Sequence, residues 1–202
     1  YNNYFLTSQN RINKPSIIIE KAGLLTVAKT ETLYYDNILS MPKIVKYGKS
    51  DSPTIRIVYD DYDAKGNLTQ FHIGDYETTH PNYNIKYITY LWGYNYTYPI
   101  AKIENARIYD ALTNLSIGYS QLQSKSSVEL KTIFNNLRND MPDAFVYSFT
   151  YDPVVGVTTI TDPNGIETNY EYDNNERLET VRDMYNNILK HIDYNYFDPN
   201  GK

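Results

Sequence analysis

The chain has no cysteine, a single tryptophan, three methionines and three histidines in 202 residues. Lack of cysteine excludes disulfides and thiol chemistry but leaves the compartment open, because a secreted chain with a large enough core can do without disulfides. Long hydrophobic runs are missing too. The longest, SIIIE at 16–20 and AGLLTVA at 22–28, fall far short of the ~20 apolar residues a membrane-crossing helix needs. No signal-peptide pattern stands in the sequence, which says little of a chain that begins at Tyr1 and stops inside a turn signal, FDPNGK. It reads as a piece of a longer protein. An excess of positive charge is also absent. With a formal charge of -5 and a pI near 5.2, the chain lacks the basic surface that displaces phosphate counterions, so no nucleic acid is expected as partner.

Catalytic and metal motifs are scarce as well. There is no G-x-S-x-G, and no S-x-x-K followed by its partners. His72, His80 and His191 are too far apart for a local metal motif. Asp60, Asp61 and Asp63 with Gly66 hint at a calcium loop, but the alternating ligand spacing and the distal glutamate are not there. No metal and no cofactor is expected.

What the chain does have is tyrosine: 23, against 6 phenylalanines. Tyrosine suits half-buried sheet surfaces, where the ring packs and the hydroxyl reaches a partner. From 24 to 109 the pattern is β throughout. LLTVAKTETLYYDN (24–37) alternates, and KIVKYGKSDSPTIRIVYDDYD (43–63) predicts a hairpin turning near 48–53. DYDAKGNLTQFHI (61–73), IKYITYLWGYN (85–95) and YPIAKIENARIY (98–109) continue the series, with 74–89 irregular at first and residues 1–23 undecided. A helical insertion is expected over 110–142. Leu130, Ile133, Phe134 and Leu137 have the i, i+3, i+4, i+7 spacing of an amphipathic helix, Ser126 and Glu129 form a capping box, and Pro142 ends it. Residues 110–125 extend it towards a helical hairpin with Gly118 as the break. Packing on a neighbouring sheet is the preferred reading of this helix over filling a partner's groove.

From 143 to 202 the β pattern returns with a period. Asp152, Asp162, Asp173 and Asp183 stand ten, eleven and ten residues apart, and Asp198 follows after fifteen. A unit of about ten residues is one strand and one turn. The aspartate caps the turn through backbone N–H groups, and Gly66, Gly165 and Gly201 supply the positive-φ position. Asn186 stands at the same offset after Asp183, whereas Glu176 after Asp173 does not fit, and the sequence leaves the type of that turn open. Tyr62 with Asp63, and Tyr172 with Asp173, align as equivalent pairs in which the tyrosine closes the preceding strand.

YDAKGNL (62–68), TDPNGIETNYEYDNNERLETVRD (161–183) and FDPNG (197–201) resemble the RHS/YD-repeat family, and YLWGYNYTYPIAKIENA (90–106) is similar to the region before such repeats in secreted bacterial members. The resemblance implies a mainly β fold in which strand-turn units build a large twisted or spiralling antiparallel sheet, here with the insertion near 110–140. It also implies a secreted or cell-surface bacterial protein of the polymorphic-toxin kind. There the shell would contact neighbouring YD repeats, a C-terminal effector beyond this segment, and a secretion machinery. No catalysis is expected within the segment. Two alternatives stand beside this. Tyr87, Tyr90, Trp92, Tyr94, Tyr96 and Tyr98 put many rings on one strand face, so Tyr90, Trp92 and Tyr94 are a candidate glycan-stacking platform of an adhesin, although cross-strand packing is preferred. Asp162 and Asp198 both head DPNG and could form a pair for aspartyl self-cleavage, a weak signal because DPNG is a good turn sequence by itself.

Overall fold

The computed structural model describes residues 15–35, 41–49, 51–74 and 85–195. Among these residues twelve strands form a sheet whose order follows the sequence, β1 to β12. They are β1 (Ile17–Ala22), β2 (Leu25–Tyr34), β3 (Pro42–Gly48), β4 (Thr54–Tyr62), β5 (Leu68–Ile73), β6 (Lys86–Gly93), β7 (Tyr98–Glu104), β8 (Phe145–Asp152), β9 (Gly156–Thr161), β10 (Glu167–Tyr172), β11 (Leu178–Asp183) and β12 (Ile188–His191). The fold is mainly β and antiparallel. Most of the sequence-order pairing follows from short connections, because a tight turn can only join antiparallel neighbours, whereas β7 and β8 are neighbours with the helical insertion between them in sequence. The β3–β4 hairpin, with Tyr47 opposite Thr54, turns where the Gly-Lys-Ser-Asp-Ser-Pro stretch predicts.

Between β7 and β8 lie α1 (Ile108–Asn114), a 3-10 turn over 119–124 and α2 (Ser127–Asp140). The helical hairpin expected over 110–125 is replaced by two short pieces. The strand pattern read to 109 stops at Glu104, and the helix starts at Ile108. Asn105 takes a left-handed φ of 64° where the strand ends. The start of α2 is as anticipated. Ser126 N–H donates to Glu129 Oε2 at 2.9 Å, and Glu129 N–H reaches Ser126 Oγ at 3.4 Å. The Lys125 ammonium at 2.8 Å, then Ser126, pull the Glu129 carboxyl down to about 2.

The chain divides into two compact units, one of residues 1–90 with 104–111 and the other of 91–103 with 112–202. Among the described residues of the first, the buried apolar ones are mostly small: Ala28, Ile88, Ala106 and Ala111. Polar groups share that interior. Thr89 Oγ1 donates to the Ala106 carbonyl at 2.9 Å, Ile108 N–H donates to Gln70 Oε1 at 2.7 Å, and His72 Nδ1 lies 2.8 Å from Asp60 Oδ1. Among the described residues the second unit buries the larger apolar side chains, where α2 buries Leu130, Ile133, Phe134 and Leu137 beside the fully buried Val146 of β8. Burial of such side chains contributes roughly 1.5–3 kcal/mol each. Arg138 ties helix to strand through Nε to the Val146 carbonyl at 2.9 Å and a second nitrogen to Ser148 Oγ at 2.6 Å.

Candidate functional site

The recurring feature is a five-residue turn headed by aspartate. At Asp162, the backbone N–H donates to the Ile166 carbonyl at 3.0 Å, and the carbonyl accepts from Gly165 N–H at 3.0 Å. Its Oδ1 accepts from the N–H groups of Asn164 and Ile166, both at 2.8 Å. The same four bonds recur at Asp63, Asp173 and Asp183, all between 2.8 and 3.1 Å. One carboxylate oxygen thus satisfies two amides that a reversing chain would otherwise leave unpaired.

The third residue after each aspartate is left-handed: Gly66 at φ 85°, Gly165 at 81°, Asn186 at 69° and Glu176 at 62°. The turn at Asp173, which the sequence leaves open, is therefore of the same type as the others. The four bonds around Asp173 hold a glutamate in the position glycine takes elsewhere, against its steric preference. The fourth residue matters in a way the sequence pattern did not expose. Asn67 and Asn187 donate their side-chain N–H to the second carboxylate oxygen at 2.9 and 2.8 Å, and Arg177 Nε does so at 2.8 Å. Ile166 has nothing to donate. The Arg177 side chain holds Asp173 below the usual carboxylate range, and the Asn187 side chain does the same for Asp183, with backbone N–H groups adding to both.

Asp152 is a correction to the repeat read from sequence. Its carbonyl accepts from Val155 N–H at 3.2 Å, and the left-handed residue is Val154 at φ 78°, one place earlier than in the other turns. The register matches that of the other turns, with Tyr151 opposite Val157 as Tyr172 is opposite Leu178, so the difference lies in which residue is left-handed and not in the length of the connection. Asp198 and Gly201 lie outside the described residues, as does His80.

Tyrosines at strand ends complete the arrangement. Tyr62, at the end of β4, donates its hydroxyl to the Pro42 carbonyl at the start of β3, at 2.9 Å. Tyr151 of β8 reaches Pro99 of β7 at 3.0 Å, and Tyr172 of β10 reaches Val157 of β9 at 2.9 Å. Tyr194, just past β12, reaches Leu178 of β11 at 2.8 Å. Each tyrosine latches the end of an even-numbered strand to the start of the strand before it. Burial pushes the Tyr151 hydroxyl up to about 12 and raises those of Tyr62 and Tyr172, so all three keep the proton they donate. Gly156 leaves room for one latch, since a Cβ there would collide with the Tyr172 hydroxyl. Latch tyrosines 151, 172 and 194, and capping aspartates 162 and 183, are spaced by 21 or 22 residues. The structural repeat is thus a two-strand hairpin, twice the ten-residue unit read from sequence.

The aromatic stretch behaves differently from an aromatic strand face. Tyr90 stacks on Phe71 with centroids 6.4 Å apart, and Trp92 is the last aromatic of β6. Tyr94 and Tyr96 leave the strand for a left-handed turn. The Tyr94 ring meets Tyr98 and Tyr151 edge-on at 5.9 and 5.7 Å, and its hydroxyl accepts from Tyr151 N–H at 3.0 Å. Among the described residues, no group of three His, Cys, Asp or Glu side chains is placed to hold a metal ion, and no helix is long and apolar enough to cross a membrane.

Residues 155–183 match the family model of the RHS repeat. The chain carries an RHS repeat. The matched stretch contains the Asp162 and Asp173 turns and the Tyr172 latch, and it closes on Asp183. No curated protein matches the chain. Among solved structures, the chain is similar to the Tc holotoxin pore of Photorhabdus luminescens carrying a TccC3 mutation, at 11% identity and a TM-score of 0.44 over 83% of this chain and 8% of that one. It is also similar to the TcdB2–TccC3 complex, at 12% identity and a TM-score of 0.44 over 89% of this chain and 10% of that one. For the same complex without its hypervariable C-terminal region, the values are 11% identity and 0.45 over 83% and 8%. The chain spans a tenth or less of the length of these structures.

Proposed function

We propose that this chain is a wall segment of a larger RHS-type β-shell in a secreted or cell-surface bacterial protein, where the shell encloses or presents a C-terminal effector. The observation that carries the reading is the recurrence of one aspartate turn, bond for bond, at Asp63, Asp162, Asp173 and Asp183. Such a turn lets a sheet grow hairpin by hairpin, and each tyrosine latch fastens a strand to the one before it. A sheet extended in this way offers few free edges except at its ends, and this favours a wall over an isolated domain. In the parent protein the partners are then neighbouring RHS repeats, an enclosed effector and the machinery that exports it.

The two alternatives draw less support. Tyr94 spends its ring and hydroxyl on Tyr98 and Tyr151, so a glycan-stacking role for Tyr90, Trp92 and Tyr94 would have to work with a platform whose last member faces other tyrosines. Asp162 spends one carboxylate oxygen on two backbone amides, which favours turn-holding over proton transfer.

Limited proteolysis of the parent protein tests the wall reading. The downstream segment should resist protease in the intact parent and be cleaved once separated from the repeats. Equal cleavage in both forms would sink the reading. A glycan array probed with wild type and Trp92→Ala keeps the adhesin alternative in view, with specific binding lost in the variant as its signature.

A further inference from the structure

The β6–β7 turn gathers more backbone strain than any other connection among the described residues. Tyr94, Asn95 and Tyr96 follow one another at φ 49°, 58° and 61°, and Thr97 N–H closes the turn on the Gly93 carbonyl at 2.9 Å. Asparagine tolerates this region, but tyrosine does so poorly, because its Cβ crowds the neighbouring carbonyl. Three such residues in a row persist only where surrounding contacts over-determine them.

Those contacts come from the insertion. The Gln123 side chain bridges the turn, with Nε2 donating to the Trp92 carbonyl at 2.8 Å and Oε1 accepting from Tyr96 N–H at 2.8 Å. The Tyr119 hydroxyl accepts from Trp92 N–H at 3.1 Å, and its ring meets Tyr96 edge-on at 6.0 Å. Ser127 Oγ lies 3.3 Å from the Tyr94 hydroxyl. The segment carrying these groups is anchored by Leu122, which is fully buried. Backbone groups at the start and end of the turn, those of Trp92 and Tyr96, are therefore held by side chains 27 to 31 positions away. All these residues belong to one compact unit.

We infer that residues 119–127 are a lock on the left-handed turn, so that the insertion and the end of the β6–β7 hairpin open and close as one unit. The lock is a two-state device. Docked, Gln123 and Tyr119 hold the turn in its strained form; undocked, the strain drives residues 94–96 out of it. A pull or a ligand acting on 119–127 would thereby change the end of a hairpin distant in sequence. This inference does not rest on the wall-segment reading, because it concerns only contacts within the unit.

Hydrogen exchange of the full chain, followed by mass spectrometry, tests it. With Gln123→Ala, exchange at 94–97 and at 119–124 should rise together, by roughly tenfold for the loss of two hydrogen bonds. Adding Asn95→Gly, which relaxes one strained position, should slow the shared opening again by about threefold. Tyr119→Phe removes one acceptor while keeping the ring, and it should give the same joint rise at about fivefold; it serves if Gln123→Ala fails to fold. A rise confined to 119–124, or an opening rate that Asn95→Gly leaves unchanged, would overturn the lock.

Discussion

The turn after β9 and the turn after β6 each reverse the chain within five residues, by opposite means. At 162–166 one aspartate supplies the cap and one glycine supplies the left-handed position, and every bond is local. At 93–97 three residues with side chains are left-handed in succession, and apart from the local Thr97 N–H bond to the Gly93 carbonyl the bonds that hold them come from 119–127 and from Tyr151. The first kind can be copied along a chain without regard to its surroundings, and it is copied. The second works in one place only, because it needs one particular insertion folded against it. Repetition thus follows from self-sufficiency of the turn, and singular geometry from dependence on distant residues.

Breaking the dependent region should have the largest effect. Phe134 is fully buried on the inner face of α2, so Phe134→Ala should destabilise the chain by about 3–5 kcal/mol in urea unfolding. Exchange should rise first over 93–97 and 119–141, while the amides of the Asp173 and Asp183 turns stay protected longer. Uniform loss across both regions would show that the two do not differ as described.

Acid should act in the reverse direction. The Asp173 and Asp183 carboxyls sit below their ordinary 3.8 in the folded chain. Their contribution is therefore present in full above pH 3.8 and is lost as pH falls through the lower folded values. An NMR titration from pH 5 downward should show the amides of Asn175, Arg177, Tyr185 and Asn187 shifting and losing protection below pH 3.8. Tyr96 N–H, held by an amide oxygen of Gln123, should hold longer. If Tyr96 responds first, the proposed difference in what caps the two turns is wrong.

The smallest effects sharpen the comparison within the repeat. Ile166→Asn supplies the side-chain donor that Asn67 and Asn187 provide elsewhere, and it should stabilise by about 0.5–1 kcal/mol. Glu176→Gly relieves a left-handed glutamate and should gain a similar amount, about 0.5–1 kcal/mol. A loss on either change in thermal unfolding would mean that the native side chain makes a contribution beyond the turn.

Much of this architecture was legible in the residues. Alternation and turn signals placed β3, β4, β5 and β6 within a few positions, and the Ser126–Glu129 box with its apolar spacing placed α2, because both patterns depend on neighbours close in sequence. The aspartate turns were legible for the same reason: cap, left-handed position and closing amide all lie within five residues. Misreadings arose where local preference was overruled. Tyr94 and Tyr96 continue a strand-like spacing yet sit in a turn, since Gln123 and Tyr119 stabilise what their own Cβ atoms oppose. Glu176 looked unfit for a position that the Asp173 cap and the Arg177 side chain impose on it. Asp152 kept the spacing and register of the repeat but not its turn, since the left-handed residue there is Val154, one place earlier than in the others.

By itself, then, the sequence determined the β class, the helix with its cap, and where most aspartates reverse the chain, because each depends on a handful of consecutive residues. Tertiary structure alone decided which carbonyl each tyrosine latches, that the working repeat is a hairpin, and that three left-handed residues can stand in a row. Those outcomes depend on groups brought together from far along the chain, where packing and hydrogen bonding outweigh the conformational preference of any single residue.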